Sequence, residues 1–135
     1  MTKFSKNMEW ARPYVEAALD LIPQHRLRSL GGYTVPANRR IQMYGYNNRD
    51  SGGYFDIRLC LNSPADPVPK GKLKRRKVKA TYLGTALDTL AHEMAHCVEW
   101  EHTMEHMELQ LKIMQRFVKV ARRLGVQDTW GRVKF

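Results

Sequence analysis

The feature that most constrains this chain is the run Ala91-His92-Glu93-Met94-Ala95-His96-Cys97-Val98-Glu99-Trp100-Glu101-His102-Thr103. It contains His-Glu-x-x-His and a further histidine six residues on. On a helix, residues four apart share one face, with Cβ atoms about 6 Å apart. His92 and His96 can therefore close on one metal ion, with Glu93 beside them, turned about 100° around the axis. Two neutral imidazoles suit Zn²⁺, and a free carboxylate next to a metal-activated water is what hydrolysis requires. Such a centre still needs a third protein ligand, with the fourth position open.

His102 is the leading candidate, and it dictates the local fold. In an unbroken helix it would lie about 15 Å along the axis from His92. Zn–N bonds are about 2.0–2.1 Å, so one ion cannot serve both in that arrangement. The helix must break between about Val98 and His102. Thr103 suits the N-cap of a new helix starting at Met104, with His102 on the turn. Glu99, Glu105, His106 and Glu108 are near enough in sequence to compete for the same position.

The run HEMAH-CVEWE-HTMEH resembles the YgjP-like and SprT-like zinc peptidases, a group that includes Spartan. Their pattern is HExxH, a short insert, then a histidine and a polar or small residue opening a helix; the spacing here is that of the YgjP-like form. The resemblance covers roughly 82–110 and, more loosely, 38–62, where it implies a hairpin. It further implies a zincin-like domain with His92, His96 and His102 as Zn²⁺ ligands and Glu93 as catalytic acid/base. This chain departs from the pattern at Glu101 and at His106, where an aromatic residue is usual. Metzincins share the histidine spacing but have glycine in place of Glu99.

A chain of 135 residues is expected to form one domain over 1–135. Hydrophobic content of 43% argues against global disorder. No apolar run is long enough to span a bilayer, and the start MTKFSKNMEW lacks the apolar region of a secretory signal. Cys60 and Cys97 are read as free thiols in a reducing, intracellular compartment, Cys97 as a core residue. The net charge of +10 points to a polyanionic partner, DNA being the leading one, or to an acidic substrate.

The expected fold class is α+β: N-terminal helices, a small antiparallel sheet, the HExxH helix and a C-terminal packing helix. Val15, Ala18, Leu19 and Ile22 give a helical pattern over 8–22, with Pro13 in its first turn. The segment 24–30 reads as a short second helix that Gly31-Gly32 would end. His25, in that stretch, reads as part of a solvated face. A hairpin spans about 40–61: Ile41, Met43 and Gly45 alternate with Gln42, Tyr44 and Tyr46, and Phe55, Ile57, Leu59 and Leu61 alternate with polar neighbours. Between them 47–53 is dense in turn residues. The resemblance implies an open sheet edge that aligns a substrate peptide as an added strand; Tyr44, Tyr46 and Tyr54 read first as packing residues, with lining of the cleft as the alternative. Thr85 or Thr81 would cap the HExxH helix, and an apolar face over 104–124 makes the last helix, ended by Gly125.

Lys70, Lys72, Lys74, Arg75, Arg76, Lys77 and Lys79 put seven positive side chains into ten positions, a candidate phosphate-binding loop. A solvated loop and a lysine-protected edge strand through Val78 are the competing readings. The expected function is zinc-dependent hydrolysis of peptide bonds, in proteins associated with nucleic acid. The alternatives are a nucleic-acid-binding protein with a structural or idle zinc site and an adaptor binding through its helices. Glu93 discriminates, because a structural site has no use for it. With neither Gly nor Pro between 85 and 123, one long surface helix is the plainest competitor for the whole region.

Overall fold

Phe55, Ile57 and Leu59 alternate with polar neighbours, and each is at most 4% exposed. This is a strand with one face in the core. The computed structural model describes residues 2–22, 26–35, 44–62 and 83–126. Its sheet has four strands, β1 (Lys3–Phe4), β2 (Leu27–Tyr33), β3 (Gly45–Arg49) and β4 (Phe55–Cys60), in the order β1-β2-β4-β3. β1–β2 and β2–β4 are parallel, and β3–β4 is antiparallel. Three helices complete the α+β fold: α1 (Arg12–Ala18), α2 (Leu83–Ala95) and α3 (Met104–Arg123). α2 packs against β3 and β4, and α3 packs against both α2 and α1.

One apolar cluster joins these layers. Leu87, Leu90 and Met94 are fully buried on α2, each worth about 1.5–3 kcal/mol relative to exposure. Their burial fixes the rotation of α2 and hence the direction of His92 and His96. Phe117 of α3 meets Tyr14 of α1 edge-on at 5.9 Å. Arg116 donates to the carbonyl of Ala17 at 3.1 Å and to Asp20 at 2.9 Å, serving the otherwise unpaired end of α1. Among the described residues no helix is long and apolar enough to cross a membrane.

The sheet departs from the sequence reading in three ways. Leu27–Tyr33 is a strand, where 24–30 reads as a helix. Leu27 and Leu30 have helical spacing, but both are buried between β1 and β4, and a register irregularity between Leu27 and Ser29 puts both on the core. Gly31 and Gly32 are interior to that strand and end no helix. The sheet is mixed, because β2 pairs in parallel and only the hairpin is antiparallel. The hairpin turn also comes later than 47–53: Asn47 and Asn48 belong to β3, and the turn is 50–54. Asp50 organises it, its carboxylate accepting from the N–H groups of Gly52 and Tyr54, both at 2.9 Å. Residues 40–43 of the expected first strand, the basic run and His25 lie outside the described residues.

The N-terminal segment is helical over 6–21, with a 3₁₀ turn on either side of α1 and Pro13 in the first turn. α2 is described from Leu83, so Thr85 is interior to it and caps nothing; Thr81 lies outside the described residues. The helix does not continue into α3. Its regular part ends at Ala95, earlier than expected, and the next turn tightens: Cys97 N–H donates to Met94 O at 3.0 Å and Val98 N–H to Ala95 O at 3.1 Å. Thr103 caps α3, its hydroxyl accepting from His106 N–H at 3.3 Å. Gly125, at φ 74°, takes the left-handed conformation that follows the helix end.

Candidate metal centre

α2 presents His92 and His96 on one face, and their Nε2 atoms are 3.1 Å apart. The break after α2 returns the chain, so that His102 Nε2 comes to 3.2 Å from His92 Nε2, with the two rings stacked at 5.2 Å. Tetrahedral ligands at about 2.0–2.1 Å from zinc stand about 3.3–3.4 Å from one another, close to the spacing found here. His96 Nδ1 lies 3.2 Å from the carbonyl of Glu99, which can only accept, so Nδ1 carries the proton and Nε2 the lone pair. Imidazole nitrogens this close can share either a proton or a metal ion. The donor set fits a zinc ion.

A different trio is also compact. His92, His96 and His106 have ligand atoms within 4.8 Å of one another. His106 is buried, however, and its Nε2 lies 3.0 Å from the carbonyl of His92, to which it can only donate. That nitrogen holds α3 against α2. His102, by contrast, turns its Nε2 toward His92 Nε2 at 3.2 Å.

Burial pushes the His96 imidazole down to about 4, with the neighbouring His106 acting in the same direction. Burial also lowers His106. Neutral imidazoles are the form a metal requires. Glu93, only 8% exposed, is raised by burial, opposed by His92 and His102. Cys97 is pushed up to about 12 by burial, with Sγ 3.6 Å from Asn47 Nδ2, so it is a core thiol remote from ligand chemistry.

Two clefts flank the histidines and share Gly45, His92 and Glu93. The first, ≈ 300 Å³, adds Tyr46, Asn47, His96, Trp100 and His102. The second, ≈ 310 Å³, adds Tyr44, Asp88, Thr89 and Gln110. Of the three tyrosines read first as packing residues, Tyr44 and Tyr46 line a cleft and Tyr54 lines neither. Gly45 is needed where β3 passes under α2: a Cβ there would lie 2.8 Å from the carbonyl of Arg58 and 2.9 Å from Thr89 Cγ2.

Three residues of the site escape a reading of the sequence. Asn47 donates from Nδ2 to the carbonyl of Glu93 at 2.8 Å, tying the strand to the helix that carries the carboxylate. Trp100 walls the first cleft beside His96, ring centroids 5.7 Å apart, with the Arg49 guanidinium 4.7 Å over its ring. Gln110 of α3 meets His92 Nδ1 through its Oε1 at 2.9 Å. The basic residues of 70–79 are not placed relative to these groups.

No family model matches the chain. No curated protein matches it. Among solved structures, Wss1 from Saccharomyces cerevisiae matches over 92% of this chain and 91% of that chain, at 11% identity and a TM-score of 0.46.

Proposed function

We propose that this chain is a zinc-dependent peptidase in which His92, His96 and His102 hold the ion and Glu93 is the acid/base. The observation that carries the reading is the convergence of three imidazole nitrogens at 3.1 and 3.2 Å beside a buried carboxylate. A zinc ion held there supplies Lewis acidity toward a carbonyl and brings the pKa of water toward 7. Glu93 accepts the proton of the attacking water and passes it to the leaving amine. Burial raises its proton affinity, the direction that suits a group which must take up a proton. Asn47, bonded to the Glu93 carbonyl, holds this part of α2 at a fixed distance from β3.

The substrate is an extended peptide. β3 is the outer strand of the sheet among the described residues. Tyr44 O accepts from Cys60 N–H and Asp50 N–H donates to Tyr54 O, so the even-numbered positions serve β4. By alternation, Gly45, Asn47 and Arg49 direct their main-chain N–H and C=O groups to the open edge. A peptide added there makes main-chain hydrogen bonds with little sequence preference, and the clefts on either side take its side chains. The net charge of +10 and the basic run at 70–79 support substrates attached to DNA or another polyanion.

The test is hydrolysis of an unfolded protein by zinc-loaded wild type and by Glu93→Gln. The reading expects cleavage by wild type, and loss of cleavage with retained zinc in the variant. Cleavage by Glu93→Gln at the wild-type rate contradicts the role of Glu93. Tight zinc binding without any cleavage by wild type supports a structural zinc site instead.

A further inference from the structure

We infer that Gln110 is a positioning residue for the metal centre, oriented by Asp88 so that His92 can present only one tautomer to the ion. The inference rests on the metal-centre reading above and adds residues that reading does not use. A neutral histidine carries its proton on one ring nitrogen, and the partner of the other nitrogen decides which. For His96 the partner is a backbone carbonyl, which leaves no choice. For His92 the partner is an amide, and an amide has both a donor end and an acceptor end. Gln110 alone would fit either tautomer.

Asp88 removes that ambiguity. It lies four residues before His92 on the same face of α2, and its Oδ1 is 3.5 Å from Gln110 Nε2. An ionised carboxylate only accepts, so it faces the NH₂ end of the amide. Gln110 Oε1 is then the end turned to His92, at 2.9 Å, and it accepts the proton of Nδ1. His92 Nε2 is left with its lone pair, aimed where His96 and His102 converge. Asp88, Gln110 and His92 line the same cleft. The relay also makes the centre depend on the packing of α3 against α2, because Gln110 is the only member on α3.

Two readouts on the purified full chain test this. Zinc affinity is measured by chelator competition with Zn²⁺ alone. The His92 tautomer is read in metal-free protein from imidazole ¹⁵N chemical shifts. Gln110→Leu keeps the bulk and removes the acceptor. It should weaken zinc binding about 10–100-fold, the size of effect typical of a partner behind a metal ligand. In the same variant the His92 signals should lose their preference for Nδ1–H. Gln110→Glu retains an acceptor toward Nδ1 and should restore both readouts, most fully when combined with Asp88→Asn to remove the repulsion between carboxylates.

Equal zinc affinity and an unchanged His92 tautomer in Gln110→Leu overturn the inference while leaving the metal centre standing. Equal losses in Gln110→Leu and in the Gln110→Glu/Asp88→Asn double variant mark a packing effect and also overturn it. Wild-type protein that binds no zinc overturns the metal centre itself and this inference with it.

Discussion

His92 Nε2 and His102 Nε2 lie 3.2 Å apart across ten residues of chain. In a continuous helix the same residues would be about 15 Å apart. The tightened turn after Ala95 and the Thr103 cap convert helical spacing into convergence. The single-helix alternative for 83–123 is thereby replaced by two helices packed against each other.

This assignment separates two neighbouring histidines. His102→Ala should weaken zinc affinity by far more than the 10–100-fold expected of an outer partner. His106→Ala should retain zinc but lower stability by about 1–3 kcal/mol, because the His92 carbonyl loses a buried partner. Chelator competition and urea unfolding, run on both variants, check the pair. Zinc loss confined to His106→Ala would transfer the third position to that residue.

Acid should destabilise the metal-free protein in a defined window. His96 titrates near 4 when folded and near 6.5 when unfolded, so below about 6.5 the unfolded chain binds the extra proton. Stability therefore falls as pH drops from about 6.5 toward 4, and His106 shifts in the same direction. Urea unfolding at pH 7, 6 and 5 checks this. Flat stability over that range contradicts the burial of neutral His96.

Gly45→Ala should show how closely α2 sits on β3. A methyl group at Gly45 meets backbone on one side and Thr89 on the other, and neither gives way easily. A loss of about 1–3 kcal/mol is expected from overpacking, together with reduced peptide cleavage, because the same position lines both clefts. Thermal unfolding and a cleavage assay on one preparation measure both.

Reversing the charges of Lys74, Arg75, Arg76 and Lys77 should weaken DNA binding without changing zinc content. For each phosphate no longer neutralised, the log–log salt slope should fall by about 0.9 on duplex DNA. Titration at several salt concentrations checks it, and an unchanged slope returns the run to a solvated loop.

The clustering of the histidines was legible because these residues are local in sequence. Four-residue spacing put His92 and His96 together, and the length of a zinc–nitrogen bond required a turn before His102. Thr103 and Gly125 were legible as helix ends for the same reason. β2 was not. The spacing of Leu27 and Leu30 fits a helix, and its strand identity comes from pairing with Lys3–Phe4 and Phe55–Cys60, both distant in sequence. Gln110 was hidden as well, since its contact with His92 exists only after α3 folds back onto α2. Asn47 did leave a signal: it continues the inward parity of Gly45, and a polar side chain turned toward a core needs a partner.

Metal analysis of the purified protein, prepared without chelator and with zinc supplied, tests the central claim most directly. The account predicts about one Zn²⁺ per chain in wild type, and none retained in His92→Ala or His96→Ala. Wild-type protein that emerges metal-free, or variants that keep their zinc, would contradict it.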